Sequence, residues 1–370
     1  MNKPANEFQP SISNGNFKQT LAERRIEVKK NRIKNFQMRE NYANRFLRMQ
    51  CATDLCLLLN EPFYNLEFLI NKPNYNTFSI PKKSGGKRDI SAPEKNLLRV
   101  QKKLNRYLQF IYLRLRPTNV HGFVLQVGNH EIQANIVENA KHHVGKKAVL
   151  NIDLEDFFPS ITARKVKELL KSAPFQFNED LAIAIGLLTT HKGRVPQGAP
   201  TSPVISNFIC LPLDHAMQQW SIKNKVNYSR YADDLTFSAD IVFSPSQILE
   251  LRAIIESFGF RVNEKKLRQR LNNRKQSVTG ITVNTKVNVN RRLLKLVRAM
   301  LHDLRVNGIE TATRNHFVSP ENPYFDRKKF FLNRLEGSIA FIGQVRGLDD
   351  ALYTKMKTEF YLLLDSKNTD

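Results

Sequence analysis

The chain has 370 residues, with 58 Lys/Arg against 34 Asp/Glu, a formal net charge of +24 and a pI of about 10.0. A hydrophobic content of 41% excludes a disordered polymer and suffices for two or three packed domains, while the charge surplus points to a polyanionic partner whose phosphates would shed counterions on binding. No apolar run approaches the roughly 20 residues of a membrane span and no apolar leader opens the chain, so a soluble cytoplasmic protein with no membrane partner is expected.

Residues 1–15, rich in Asn, Ser and Pro, read as flexible. Residues 16–50 carry Leu21, Ile26, Ile33, Phe36, Tyr42 and Phe46 among charges and predict one or two surface helices. Across 1–50 there are 11 Lys/Arg and 4 Asp/Glu, a local charge of +7. That fits equally a solvated helix or a basic arm lying on nucleic acid. Residues 51–70 predict a helix ended by Pro62 and then a turn. Tyr75–Pro81 alternates as a strand, Asp89-Ile90-Ser91 resumes one, and Lys82-Lys83-Ser84-Gly85-Gly86-Lys87-Arg88 forms a basic tip suited to phosphate contact. A long helix over 94–116 stops at Pro117. A short helix within 132–143 holds Asn139-Ala140-Lys141-His142-His143; its adjacent histidines cannot share one face, which argues against a paired metal site. Cys51, Cys56 and Cys210 lack metal-ligand spacing and read as buried thiols of a reducing compartment.

The apolar run ending in Asn151-Ile152-Asp153 predicts a buried strand closed by a carboxylate, followed by Leu154-Glu155-Asp156-Phe157-Phe158. Helices follow over 162–171 and 178–191, then the rigid path Pro196-Gln197-Gly198-Ala199-Pro200-Thr201-Ser202-Pro203 and another helix. Tyr228-Ser229-Arg230-Tyr231-Ala232-Asp233-Asp234-Leu235-Thr236-Phe237-Ser238 alternates bulky and small polar residues as a hairpin, with the two aspartates at its turn. Taken alone, this is either a polar hairpin tip or half of a site. A helix over 245–258 leads to strands near 260–262 and 278–283 flanking a basic segment; residues 261–275 hold 7 Lys/Arg and 1 Asp/Glu. From 290 onward the pattern is helical.

Asp153 and Asp233-Asp234 all fall at strand ends or turns, so they can converge. Three converging carboxylates repel unless cations bind. Oxygen-only ligands suit Mg²⁺, and a pair of ions about 4 Å apart would activate a hydroxyl and stabilise leaving pyrophosphate. With the basic surface, this implies nucleotidyl transfer on nucleic acid, with Lys83, Lys87 and Arg88 on the incoming triphosphate.

At this point the residues resemble a known family. Asn151–Phe158, Pro196–Pro203 and Tyr231-Ala232-Asp233-Asp234 look like the palm motifs of reverse transcriptases, in that family's order, and Asn263-Glu264-Lys265-Lys266 looks like the next motif. Asn139-Ala140-Lys141-His142-His143 and Val278-Thr279-Gly280 resemble the Asn-Ala-x-x-His and Val-Thr-Gly signatures of retron reverse transcriptases. The resemblance implies an α+β right-hand polymerase. Residues 1–50 would be a basic N-terminal extension, 51–150 the fingers, 151–285 the palm with a finger insertion at about 162–200, and 286–370 an α-helical thumb. It implies Asp153, Asp233, Asp234 and the Leu154 carbonyl around two Mg²⁺ ions, with Mn²⁺ as a substitute. Lys83 and Arg88 would grip nucleotide phosphates, Phe158 would exclude a 2′-hydroxyl, Gln197 would contact the nucleotide, and Lys266 would stand near the leaving group. Asn139, His143, Val278, Thr279 and Gly280 would serve RNA recognition and priming, although His143 reads equally as a satisfied structural histidine. The implied substrates and partners are dNTPs, a cognate noncoding RNA primed from an internal 2′-hydroxyl, its branched msDNA product, and a separate effector protein in anti-phage defence. Another prokaryotic reverse transcriptase (group II intron-like or defence-associated) extending a 3′-hydroxyl, or a non-catalytic RNA-binding scaffold, are the alternatives.

Overall fold

The computed structural model describes residues 14–81, 85–127, 134–316 and 326–365, without the side chains of 14–25, 28, 29 and 32. Helix α1 (Asn14–Leu47) is a single helix, and its C-terminal turns enter the protein: Ala43 and Phe46 are buried, whereas Ile26, Ile33 and Phe36 face solvent. Two helices follow, α2 (Ala52–Leu59) and α3 (Phe63–Asn71), where the sequence predicts a helix and a turn. Asn60, in left-handed backbone (φ 47°), ends α2, and Pro62 caps the start of α3. Proline lacks only an N–H that the first turn of a helix leaves unpaired, so it starts α3 instead of ending α2.

Strands β1 (Tyr75–Pro81) and β2 (Lys87–Pro93) form the expected antiparallel hairpin. Helix α4 (Lys95–Leu115) buries Leu97, Val100, Leu104, Leu108 and Ile111 along one stripe. Helix α5 (Ile136–Lys141) is capped by the Asn135 side chain, which accepts from the amides of Val137 and Glu138. Next come β3 (Ala148–Asp153), α6 (Ala163–Lys171), α7 (Glu179–Thr189), α8 (Ser202–Asn224), the hairpin β4 (Asn227–Tyr231) and β5 (Asp234–Ala239), and α9 (Pro245–Ser257).

Two strand expectations are corrected beyond α9. The stretch 260–262 contributes only a bridge from Val262 to Leu154, while β6 (Arg268–Leu271) lies inside the basic segment, where charge conceals it. The stretch 278–283 is not one strand but a tight hairpin of β7 (Ser277–Val278) and β8 (Ile281–Thr282). Thr279 and Gly280 both have positive φ, 48° and 85°, as a type I′ turn demands. The chain closes with α10 (Arg291–His316), bent at Gly308, α11 (Arg327–Arg346) and α12 (Ala351–Asp365).

The central sheet has the order β4-β5-β3-β6 and is antiparallel throughout. Its alternation assigns each face a task. Leu150 and Ile152, Leu235 and Phe237, and Tyr228 join the larger core beneath the sheet. Val149, Asn151 and Asp153 point to the other face, with Asp234, Thr236 and Ser238 beside them in register. A second core unites α10, α11 and α12 with Val278, Ile281 and Val283, and also with Val137 and Ala140 of α5 and Val149 of β3. Helix α5, in the segment assigned to the fingers by the sequence, thus packs with the C-terminal core.

Candidate active site

Antiparallel pairing of β3 and β5 sets Asp153 directly opposite Asp234, and the β4–β5 turn carries Asp233. The end of β3 is held from both sides. The Leu154 amide donates to the Asp233 carbonyl at 3.0 Å, and the Asn263 amide donates to the Asp153 carbonyl at 2.8 Å. The Asp153 carboxylate accepts from Lys266 Nζ at 2.8 Å and from Asn263 Nδ2 at 3.2 Å.

Consecutive carboxylates on a strand diverge, and these open on different cavities. Asp233 and Asp153 line a cleft of about 1140 Å³ with Arg88, Phe158, Gln197 and Lys266. Asp234 and Asp153 line a second cavity of about 550 Å³ with Arg268, Arg270, Lys275, Thr279 and Gly280. Asp153 is therefore shared between a cleft facing the β1–β2 hairpin and one facing the β7–β8 turn.

The charges are poorly compensated. Burial, then the Asp153 charge, raises the Asp233 pKa, against the pull of Lys266 and Arg88. Asp234 remains open to solvent, but it stands in a crowded concavity; burial, followed by the Asp233 and Asp153 charges, pushes its pKa up to about 7. The Asp153 hydrogen bond raises the Lys266 ammonium pKa. Oxygen donors whose repulsion Lys266 and Arg88 only partly relieve suit a hard divalent cation. As they stand, no three His, Cys, Asp or Glu side chains among the described residues are drawn together tightly enough to hold an ion. One carboxylate oxygen of Asp153 is turned to Lys266 instead.

The cleft wall is built from locally constrained backbone. Gly198 has φ +119°, and a Cβ there would meet Ile90 Cγ2 at 2.9 Å and the Ser91 carbonyl at 3.0 Å. The Gln197 carbonyl accepts from the Ser91 amide at 2.7 Å, so the Pro-Gln-Gly path is docked on β2. Phe158 packs on Phe123 and Phe157, with ring centroids at 5.8 Å and 5.3 Å. Phe123, Asp156, Ala232 and Thr279 all have positive φ without being glycine, and all border the two cavities or the aspartate turn. Such backbone costs energy and collects at functional sites.

Arg88, Phe158, Gln197, Lys266 and the three aspartates thus come together around the two cavities, with Leu154 in the cleft wall. Lys83 lies outside the described residues. The signature residues behave differently. His143 is fully buried; its Nδ1 pairs with Ser238 Oγ and its Nε2 with Ser229 Oγ, both at 2.7 Å. Burial pushes its pKa down to about 3. Asn139 and Val278 are also fully buried. Asn139, His143 and Val278 are therefore interior residues, with both ring nitrogens of His143 engaged as in a satisfied structural histidine. His143 ties the end of α5 to the sheet, and Val278 packs with Val137 and Ala140 of α5, where Thr279 Oγ1 donates to the Ile136 carbonyl at 3.4 Å. Thr279 and Gly280 reach the cavity. Of the cysteines, Cys56 and Cys210 are buried, but Cys51 is exposed.

Sequence reasoning missed a layer behind the aspartates. Arg230 is fully buried and pairs with Asp214 through Nε to Oδ1 and Nη2 to Oδ2, each at 2.7 Å. Asn207 and Gly122, both buried, were equally inconspicuous. An Arg at a core-facing position of the hairpin was the one available signal.

The reverse transcriptase (RNA-dependent DNA polymerase) family matches residues 80–283, more than half of the chain. The retron Mx65 reverse transcriptase of Myxococcus xanthus is 36% identical over 264 residues, covering 66% of this chain and 59% of that protein. The retron Ec86 reverse transcriptase of Escherichia coli is 33% identical over 237 residues, covering 62% of this chain and 70% of that one. Among solved structures, Candida albicans telomerase in complex with a fragment of telomeric RNA aligns over 79% of this chain and 63% of that one, at 13% identity and a TM-score of 0.42, a likeness too distant to carry an inference. The chain belongs to the reverse transcriptase family and, within it, to the retron reverse transcriptases. It spans little more than half the length of the Myxococcus relative.

Proposed function

We propose that the protein is an RNA-directed DNA polymerase that copies its cognate noncoding RNA into msDNA, starting from an internal 2′-hydroxyl. The observation that carries this reading is the in-register meeting of Asp153 with Asp234, beside Asp233, at the junction of two cavities. One cavity suits a triphosphate: Arg88 and Lys266 supply positive charge, Gln197 stands on a docked turn, and Phe158 is braced by two rings so that it can exclude a 2′-hydroxyl. The other suits the end of a primer strand, with Arg268, Arg270 and Lys275 for its phosphates and Thr279-Gly280 at its edge. Two Mg²⁺ ions held by Asp153, Asp233, Asp234 and the Leu154 carbonyl, replaceable by Mn²⁺, would lower the pKa of the attacking hydroxyl and neutralise leaving pyrophosphate. The residues themselves orient both substrates, and Lys266 is poised near the reacting phosphates as a charged donor, held protonated by Asp153.

In this reading the fingers are 51–150, the palm 151–285 and the thumb 286–370, with 1–50 a basic extension. No helix among the described residues is long and apolar enough to cross a membrane; action in the cytoplasm, a separate effector protein and a role in anti-phage defence belong to the same proposal. Purified protein supplied with its cognate RNA, dNTPs and Mg²⁺ should make DNA joined to that RNA by a 2′–5′ branch, read by sequencing across the junction. Plain 3′ extension would favour the other prokaryotic reverse transcriptases. No DNA at all, with the phenotype intact in Asp233→Asn, would favour the RNA-binding scaffold.

A further inference from the structure

The turn between β4 and β5 carries Asp233 at the edge of the site, and something must hold it. Alternation along β4 sends Tyr228 and Arg230 to the core face, opposite Phe237 and Leu235. An apolar residue would suit position 230, yet a fully buried arginine occupies it. Buried ion pairs add little to stability compared with apolar side chains of the same volume, so this one calls for a geometric explanation.

The contacts supply it. Asp214 of α8 holds the guanidinium through both carboxylate oxygens and also accepts from the Tyr228 hydroxyl at 2.8 Å. The remaining terminal nitrogen, Nη1, donates to Asn207 Oδ1 at 3.1 Å and to the Ala232 carbonyl at 3.0 Å. Ala232 immediately precedes Asp233 and is in left-handed backbone, φ 59°. Asn207 in turn donates from Nδ2 to the Gly122 carbonyl at 3.1 Å. Gly122 lies in a loop running beside β4, where the His121 amide donates to the Arg230 carbonyl and the Arg230 amide to the Asn119 carbonyl, each at 2.9 Å. A Cβ at position 122 would come within 2.3 Å of the Ala232 amide nitrogen. The carbonyl of Ala232 is thus pulled by Arg230, its amide is backed by Gly122, and Asn207 bridges the two.

We infer that Arg230, Asn207 and Gly122 are positioning residues that set the backbone of the aspartate turn, and through it the directions of Asp233 and Asp234. The guanidinium acts through the Ala232 carbonyl and reaches the reacting groups only by way of it. Asp214 keeps the guanidinium charged and orients it. The inference rests on the proposed metal-dependent polymerase, but it concerns the fixed direction of two carboxylates and has its own readout.

The experiment uses the full chain with Arg230→Lys, Asn207→Ala and Gly122→Ala, and Gly186→Ala as a control at a helical site where a Cβ meets nothing within 4 Å. Mn²⁺ binding is followed by the electron paramagnetic resonance signal of free Mn²⁺. Primer extension is followed against Mg²⁺ and against template–primer. The positioning variants should weaken Mn²⁺ binding and lower kcat by about 10- to 100-fold, as loss of a group supporting a metal ligand does. The Mg²⁺ requirement should rise, the KM for template–primer should stay where it is, and Gly186→Ala should match the parent. Gly122→Ala leaves the ion pair in place and decides the matter if Arg230→Lys does not fold. Parent-like Mn²⁺ binding and Mg²⁺ dependence in Gly122→Ala and Asn207→Ala would overturn the inference, as would an equal rise in template–primer KM with no change in Mn²⁺ binding. A parent protein that binds Mn²⁺ but makes no DNA would defeat the functional reading alone, and the Mn²⁺ arm would still decide this one.

Discussion

At the scale of single residues, the energetics of the site turn on unrelieved negative charge. Asp234 has a folded pKa of about 7 against an ordinary 3.8, so between those values the folded state holds a proton that the unfolded state has released. Stability contributed by this group is therefore lost as pH rises from about 4 to 7, and it is regained when a cation takes the place of the proton. In metal-free buffer, Asp234→Asn should raise the thermal midpoint at pH 8 relative to the parent and leave it little changed at pH 4. The same substitution should lower DNA synthesis by about a thousandfold, since it removes charge stabilisation of the reacting phosphates. A scanning-fluorimetry series over pH, with and without Mg²⁺, checks the first outcome, and primer extension the second. His143 is the opposite case. Its folded pKa of about 3 lies below the ordinary 6.5, so only the unfolded chain takes up a proton between those values. Stability should fall as pH drops below 6.5, by up to about 1.4 kcal/mol per pH unit from this group. His143→Gln should cost about 2–4 kcal/mol at pH 7.5 by leaving two serine hydroxyls unpartnered, and should flatten the slope in urea titrations at pH 5 and 7.5.

At the scale of elements, the site depends on docking between pieces far apart in sequence. The Pro-Gln-Gly path sits against β2 through one hydrogen bond and a glycine with no room for a side chain. Gly198→Ala would be strained twice over, by its φ of +119° and by the contact with Ile90 and Ser91. It should cost about 1–3 kcal/mol of stability and raise the KM for dNTPs more than that for template–primer. A full kinetic comparison with the parent reads this, and equal effects on both substrates would refute it. The β7–β8 hairpin and α5 show the same dependence. Each is too short to stand alone, and they share Val137, Ala140, Val278 and Ile281 in one core.

At the scale of the whole molecule, the charge of +24 is the dominant fact. Under the proposed function, a surplus of this size would draw a polyanion in by long-range attraction, while the carboxylates of the site would keep the reacting phosphates dependent on cations. Affinity for the proposed RNA partner should therefore fall by about 10³-fold or more between 50 and 200 mM salt, linearly in logarithmic coordinates, as expected for several phosphate contacts. Filter binding across that range measures the slope, and a flat response would remove backbone electrostatics from the account. The long helix α1 is anchored by Ala43 and Phe46 and exposed at Ile26, Ile33 and Phe36.

The strand-end positions of Asp153 and Asp233-Asp234, the two strands of the β1–β2 hairpin, and the helices over 95–115 and 202–224 were legible from alternation, helical spacing and turn residues, because these are local properties of the chain. The mispredicted pieces are also local in origin. The strand Arg268–Leu271 hides behind its charges, the 278–283 stretch turns on the unusual φ of Thr279, and Pro62 starts a helix that composition alone assigned to a turn. Only the tertiary structure decided which cavity each aspartate faces, that His143 is spent on Ser229 and Ser238, and that Arg230 grips the Ala232 carbonyl from beneath the sheet. Those facts depend on register and on packing between segments far apart in the chain, and a buried hydrogen bond has no signature in the spacing of the residues that make it.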